Sequence, residues 1–190
     1  KVRVNSQFTI QQLLRYLIRT ANNNETSIAE NSLKNDIKVF IKTYYLEKAL
    51  THRSIKSFHE GNYERLEFLG DSIIDHVVSH WLFKKYKHSD EGTLTKKRAA
   101  LVNRDFLSML GHNLKVTKFV QIDSGVNLLD EKVATNISAD IYEAIVGAIY
   151  LDGGYKFASD FIHRTLCISE HLSEEDANYK GQLIEYCHSQ

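Results

Sequence analysis

The sequence predicts an all-α domain, and three observations carry that reading. Apolar residues recur at spacings of three and four along most of the chain, and no segment alternates with the period of two that a half-buried strand requires. Proline, the commonest helix breaker, is absent from all 190 residues.

The elements follow from that periodicity. Phe8, Ile10, Leu13, Leu14, Leu17 and Ile18 make Phe8 to Ala21 an amphipathic helix, ended by Asn22, Asn23 and Asn24. A second stretch from about Ser32 carries Leu33, Ile37, Phe40 and Ile41, and a third runs through Leu46, Ala49 and Leu50 to His52. The longest, Tyr63 to Tyr86, keeps Leu66, Leu69, Ile73, Ile74, Val77, Val78, Trp81 and Leu82 on one broad side, which predicts a central, largely buried helix. Thr93 to Val102 and Arg104 to Gly111 read as two further helices, the second closed by a glycine suited to a carboxyl-terminal cap. Gln121 to Asn136 is polar and reads as a loop. Ile137 to Leu151 is apolar and rich in Ala and Gly, as expected where helices approach closely. Asp152, Gly153 and Gly154 form a turn before a helix from Lys156 to Leu166, and an acidic linker then precedes a last amphipathic piece, Tyr179 to Cys187.

At about 100 to 200 residues per domain, this length suits one main domain with appendages. The expected division is a helical extension over 1–31, the main domain over 32–169, and a linker with a short helix over 170–190. No apolar run approaches the ~18 residues of a membrane span, and the amino end lacks a signal-peptide stretch. Cys167 and Cys187 have no second pair beside them, which fits neither a disulfide framework nor a zinc cluster. The expected setting is therefore intracellular, cytoplasmic or nuclear. The 24 basic and 24 acidic residues cancel, an awkward balance for nucleic-acid binding. Their distribution is uneven: residues 1–60 hold ten Lys/Arg against five Asp/Glu, and residues 61–190 hold fourteen against nineteen. An acidic site balanced by basic surface elsewhere gives this pattern, and so does an ordinary polar surface.

The chemistry lies in carboxylates on apolar helices. Glu64, Glu67 and Asp71 fall within roughly 60° of one another around the long helix, and Asp75 returns to the same stripe. Asp140 and Glu143 repeat the three-residue spacing in the small-residue helix. Packed carboxylates raise one another's pKa unless cations compensate them, so either a divalent ion or a set of Arg/Lys partners is required. Two such helices crossing would gather oxygen ligands, the hard environment that suits Mg²⁺ or Mn²⁺. Salt bridges or helix caps are the plainer alternative.

The segment Tyr63-Glu-Arg-Leu-Glu-Phe-Leu-Gly-Asp-Ser72 closely resembles the signature of the ribonuclease III family, endonucleases that cut double-stranded RNA. Three more blocks agree in order and spacing: Leu50-Thr-His-Arg-Ser54; Glu91-Gly-Thr-Leu-Thr95 with Arg98 and Leu101-Val102; and Asp140-Ile-Tyr-Glu-Ala144 followed by Gly147 to Gly154. The resemblance covers about Leu33 to Leu166. It implies metal-binding and catalytic roles for Glu67, Asp71, Asp140 and Glu143, with Mg²⁺ as the ion and Mn²⁺ as a substitute. It further implies that Glu64 and Glu91 shape the dimer and the RNA-facing valley, and that Phe68 inserts into a socket of a partner subunit. Lys96, Lys97 and Arg98 are candidates for phosphate contacts in that valley, although a charge run also describes a solvated face.

What the resemblance implies is a homodimer in which each subunit cuts one strand across the minor groove of double-stranded RNA, leaving a 5′-phosphate, a 3′-hydroxyl and a short 3′ overhang. Paired divalent ions about 4 Å apart supply such chemistry without a histidine or lysine base. The rival reading is an inactive RNA-binding or ribosome-associated scaffold, but such relatives typically lose a metal ligand and here all four are present. Asp75 lies outside the motif and is expected on the surface or behind the ligands. Ser72 sits within a helix, which argues against a hydrolase nucleophile. His52 reads as a hydrogen-bonding core residue, and His76 and His80 as packing or an exposed edge. Tyr179 to Tyr186 resembles the opening helix of a double-stranded-RNA-binding domain, and the expectation is that such a domain is truncated or vestigial here.

Overall fold

In the computed structural model, residues 43–170 are described. The expected helices over Phe8 to Ala21, from Ser32, and over Tyr179 to Cys187 lie outside the described residues, as do the division at residue 31 and most of the carboxyl-terminal segment.

Six α-helices make up the described part: α1 (Thr43–Ala49), α2 (Glu64–Lys85), α3 (Glu91–Leu101), α4 (Arg104–Asn113), α5 (Glu131–Gly153) and α6 (Tyr155–Thr165). Single 3₁₀ turns follow α4 at Val116–Lys118 and α6 at Cys167–Ser169. Among the described residues the only β pairing is one isolated parallel bridge, Thr51 to Gln121. None of their helices is long and apolar enough to cross a membrane.

Helix α5 is the hub, packing against α1, α2, α4 and α6. Its residues Ile141, Tyr142, Ala144, Ile145 and Val146 are fully buried, and the Tyr142 hydroxyl satisfies itself 2.6 Å from Thr165 Oγ1. Across from it α2 buries Leu66, Ile73, Ile74, Val77, Val78 and Leu82, much as its periodicity predicts.

Several boundaries differ from expectation; Asp152 and Gly153, expected in a turn, are the last residues of α5. The segment from Gln121 to Asn136 is a loop only as far as Asp130, because the Asp130 carboxylate accepts from the backbone N–H groups of Lys132 and Val133 and starts α5 a turn and a half early. Helix α1 ends at Ala49, short of His52, where the chain turns to pair with Gln121: His52 N donates to Gln121 O and Gln121 N to Leu50 O. Gly111 does not cap α4. It lies inside the helix, where a Cβ would meet the Ser138 carbonyl oxygen at 2.4 Å, so its missing side chain lets α4 press onto α5.

Candidate metal centre

The crossing of α2 and α5 positions the site, and two glycines permit it. A Cβ on Gly70 would lie 1.9 Å from the Glu143 carbonyl oxygen, and one on Gly147 would lie 2.3 Å from that of Leu66. Backbone thus meets backbone one turn beyond Glu67 on α2 and at Glu143 itself on α5. Beside this crossing, Glu67 of α2 and Glu143 of α5 open onto one cavity.

Glu67, Asp140 and Glu143 converge there, each offering an oxygen within 4.8 Å of the others. They line a cavity of about 660 Å³ together with Glu64, Asp71, Phe68, Tyr63, Val102, Arg53 and Arg104. Burial comes first among the forces that push Glu67 up to about 7, with Asp140 next. Glu143 is more deeply enclosed, and burial followed by the charges of Asp71, Glu67 and Asp140 pushes it up to about 8. Such a cluster of hard oxygen donors, reluctant to carry its full charge alone, fits a divalent cation.

Asp71 lines the same cavity but stands outside the tight trio. Burial and the neighbouring Asp75 raise its pKa, and its own charge in turn bears on Glu143. Glu64 faces outward onto a different set of partners. His59 Nδ1 lies 2.9 Å from its Oε2 and Arg53 Nη1 3.6 Å from its Oε1, while Asn62 Oδ1 accepts from the Glu64 backbone N–H. The His59 hydrogen bond, ahead of the others, holds Glu64 below its ordinary value.

Of the remaining expected site residues, Phe68 lines the cavity, and Glu91, Lys96, Lys97 and Arg98 do not. Glu91 is exposed in the first turn of α3, where Asp90 caps the helix by accepting from Thr93 N. Lys96 is exposed. Lys97 stacks its ammonium 4.3 Å from the Tyr86 ring centroid, and Arg98 Nη1 donates to Ser79 Oγ at 3.1 Å. Phe68 is 77% exposed on the rim beside the acids. A second cavity of about 650 Å³, lined by Tyr44, Tyr45, Leu66, Leu69 and Leu151 among others, opens on the same face and shares Phe68.

Three participants escaped the sequence reading. Tyr63 donates its hydroxyl to Asp140 Oδ2 at 3.3 Å, Arg104 Nη1 lies 2.6 Å from Asp140 Oδ1, and Arg53 reaches Glu64. Tyr63 and Arg53 stand inside the blocks that resemble the family signature, which is the sequence signal for them. Arg104 had no signal beyond its place after the Asn103 cap of α4, 36 residues from its partner. His52 is the buried hydrogen-bonding residue expected: Ser54 N donates to its Nδ1, Ser54 Oγ lies 2.8 Å from the same nitrogen, and Asp123 N donates to that hydroxyl. Burial lowers its pKa. Ser72 is exposed on the helix, 3.4 Å from the Phe68 carbonyl oxygen that its hydroxyl back-bonds, and His76 and His80 form an exposed edge with ring centroids 6.4 Å apart.

A helical domain with carboxylates from two crossing helices gathered at one opening offers a set of oxygen ligands that could hold a metal ion, and comparison with known proteins names the family. A family profile described as Ribonuclease-III-like matches residues 43–169. The chain is 40% identical over 152 residues to ribonuclease 3 of Zunongwangia profunda, covering 76% of this chain and 61% of that protein. It is 34% identical over 154 residues to ribonuclease 3 of Brucella canis, covering 80% and 62%. Among solved structures, two nuclease-domain structures of ribonuclease III from Campylobacter jejuni superpose with TM-scores of 0.62 and 0.61 at 33% and 34% identity. They cover 80% of this chain and 94% and 91% of those chains, and one is described for structural flexibility in a region involved in dimer formation. The chain belongs to the ribonuclease III family. It spans about three-fifths of the length of the curated relatives it matches.

Proposed function

We propose that this chain is a divalent-metal-dependent endoribonuclease that cuts double-stranded RNA as a homodimer, each subunit cleaving one strand to leave a 5′-phosphate, a 3′-hydroxyl and a short 3′ overhang. The observation that carries the reading is the convergence of Glu67, Asp140 and Glu143 within 4.8 Å at the mouth of an open cavity. A scaffold has no use for three converging acids, two of which, Glu67 and Glu143, are raised toward neutrality, because an uncompensated cluster of that kind costs stability.

On this reading Glu67, Asp140 and Glu143 hold Mg²⁺, or Mn²⁺ in its place, and Asp71 completes the acidic wall beside Glu143. When bound, the ion supplies Lewis-acid polarisation of a phosphoryl oxygen and neutralises developing charge. Tyr63 orients the Asp140 carboxylate by its hydrogen bond. Glu64, held by His59 and Arg53, and Glu91 on α3 shape the valley around the duplex, with Lys96, Lys97 and Arg98 as candidates for its phosphates. Phe68 anchors the partner subunit. A cytoplasmic setting suits this reading better than a nuclear one.

Incubating the chain with a long perfect RNA duplex, with and without Mg²⁺, tests the proposal. Ion-dependent cutting of the duplex to short products is the expected result, and duplex binding with no cutting at millimolar Mg²⁺ would favour the scaffold.

A further inference from the structure

Asp140 enters the acidic cluster already holding a cation. Arg104 Nη1 sits 2.6 Å from its Oδ1, and the Tyr63 hydroxyl donates to its Oδ2. The guanidinium charge also bears on Glu67 and Glu143, so one side chain partly neutralises all three acids. Arg104 is the first residue of α4, with its backbone fixed by the Asn103 cap, yet its side chain is 51% exposed while that of Asp140 is 15% exposed. The carboxylate is held in place; the guanidinium has open solvent and the cavity beside it. A divalent ion and a guanidinium a few ångströms apart repel strongly, by several-fold the thermal energy even at an effective dielectric constant of about 20.

We propose that Arg104 is an internal counter-ion that competes with the divalent cation for Asp140, standing in for it in the metal-free protein and swinging out of the cluster when it binds. This rests on the reading of Glu67, Asp140 and Glu143 as the ion's ligands. A fixed strut between α4 and α5 is the ordinary role for such a pair, and the two roles differ in sign. Removing a strut loosens the site and weakens ion binding. Removing a competitor tightens it.

Mn²⁺ titration of the 190-residue chain, followed by the electron paramagnetic resonance signal of free Mn²⁺, separates them. Arg104→Gln should bind Mn²⁺ at least roughly tenfold more tightly than the unaltered chain, because the ion no longer has to displace a cation from Asp140. Arg104→Lys, which keeps the charge, should stay near the unaltered affinity. The metal-free Arg104→Gln protein should melt lower, with the difference closing as Mn²⁺ is added. Equal or weaker Mn²⁺ binding by folded Arg104→Gln overturns the proposal. A second measurement needs no folded Gln variant: in the unaltered chain, Mg²⁺ should move the Arg104 Nε–H nuclear resonance to the position of a solvated arginine, the signal being assigned by its loss in Arg104→Lys. A resonance that stays put at saturating Mg²⁺ also overturns it. No Mn²⁺ binding by the unaltered chain would overturn the ligand assignment itself, and this proposal with it.

Discussion

Gly70 of α2 lies so close to Glu143 of α5 that a Cβ on the glycine would stand 1.9 Å from the Glu143 carbonyl oxygen. The contact is between backbones, so no side-chain rotation relieves it. The separation of the two helices, and hence the spacing of Glu67 from Glu143, depends on the absence of a methyl group here and of another at Gly147.

Gly70→Ala should therefore destabilise the fold by about 3 kcal/mol or more, above the usual range for overpacking because the obstructing atom is backbone. A thermal melt checks this. A melting temperature within a degree of the unaltered chain would mean that the helices part without cost. Any folded fraction should bind Mn²⁺ less well, since its ligands stand further apart.

Glu143→Gln should abolish RNA cleavage while leaving the fold intact. Glu143 is buried and its pKa is pushed up to about 8, so its charge is a burden to the metal-free protein. The neutral amide should accordingly leave the metal-free melting temperature at pH 8 equal to or above that of the unaltered chain. Near-normal cleavage at millimolar Mg²⁺ would remove Glu143 from the ligand set.

Stability should vary with pH in a direction set by these acids. Glu67 and Glu143, ordinarily near 4.5, rise to about 7 and about 8 in the folded chain. Between those values the folded state binds more protons than the unfolded state, so their contribution falls as pH rises from about 4.5 to about 8 and levels off above. His52 works the other way: its lowered pKa costs stability as pH drops below its ordinary value of 6.5. The difference in melting temperature between the unaltered chain and Glu143→Gln cancels the histidine. That difference should favour Glu143→Gln increasingly from pH 5 to pH 8.5 without metal, and shrink or reverse with saturating Mg²⁺. A flat difference would mean that Glu143 titrates normally.

Phe68→Ala should convert a dimer to monomer without harming the monomer. The ring is 77% exposed within one chain, so its truncation costs the single subunit little. If it fills a socket of a second copy, the association loses about 3 kcal/mol, as for a buried aromatic truncation. Sedimentation velocity at micromolar concentration should show the change. A dimer that persists places the interface elsewhere on this face.

Binding of duplex RNA by Glu143→Gln should be weak, roughly micromolar, and should show a slope of log affinity against log salt of about three or four, one unit per neutralised phosphate. Lys96 is exposed on α3, so Lys96→Ala should reduce that slope by about one. Titrating a labelled duplex at several salt concentrations measures it. Nanomolar binding without metal at 150 mM salt would assign a dedicated RNA-binding element to the terminal segments.

Local interactions made much of this protein legible in its sequence. An α-helix repeats every 3.6 residues whatever surrounds it, so the apolar faces of α2 and α5 and the angular grouping of Glu64, Glu67 and Asp71 followed from spacing alone. The recognised blocks carried the family. Caps are harder: in sequence Asp130 is one more polar residue of a loop, and only the fold aims its carboxylate at two backbone N–H groups at the start of α5.

What only the tertiary structure decided is how far apart the groups stand. Angular position on a helix says nothing of the distance to a neighbouring helix, which is set by contacts such as Gly70 against Glu143 and Gly111 against Ser138. That distance draws Glu67, Asp140 and Glu143 into one cluster and leaves Asp71 at its edge, facing Asp75. It also brings Arg104 onto Asp140, a pairing of charges 36 residues apart that no periodicity foretells. Coulomb energy depends on separation and burial, and both are properties of the packed chain.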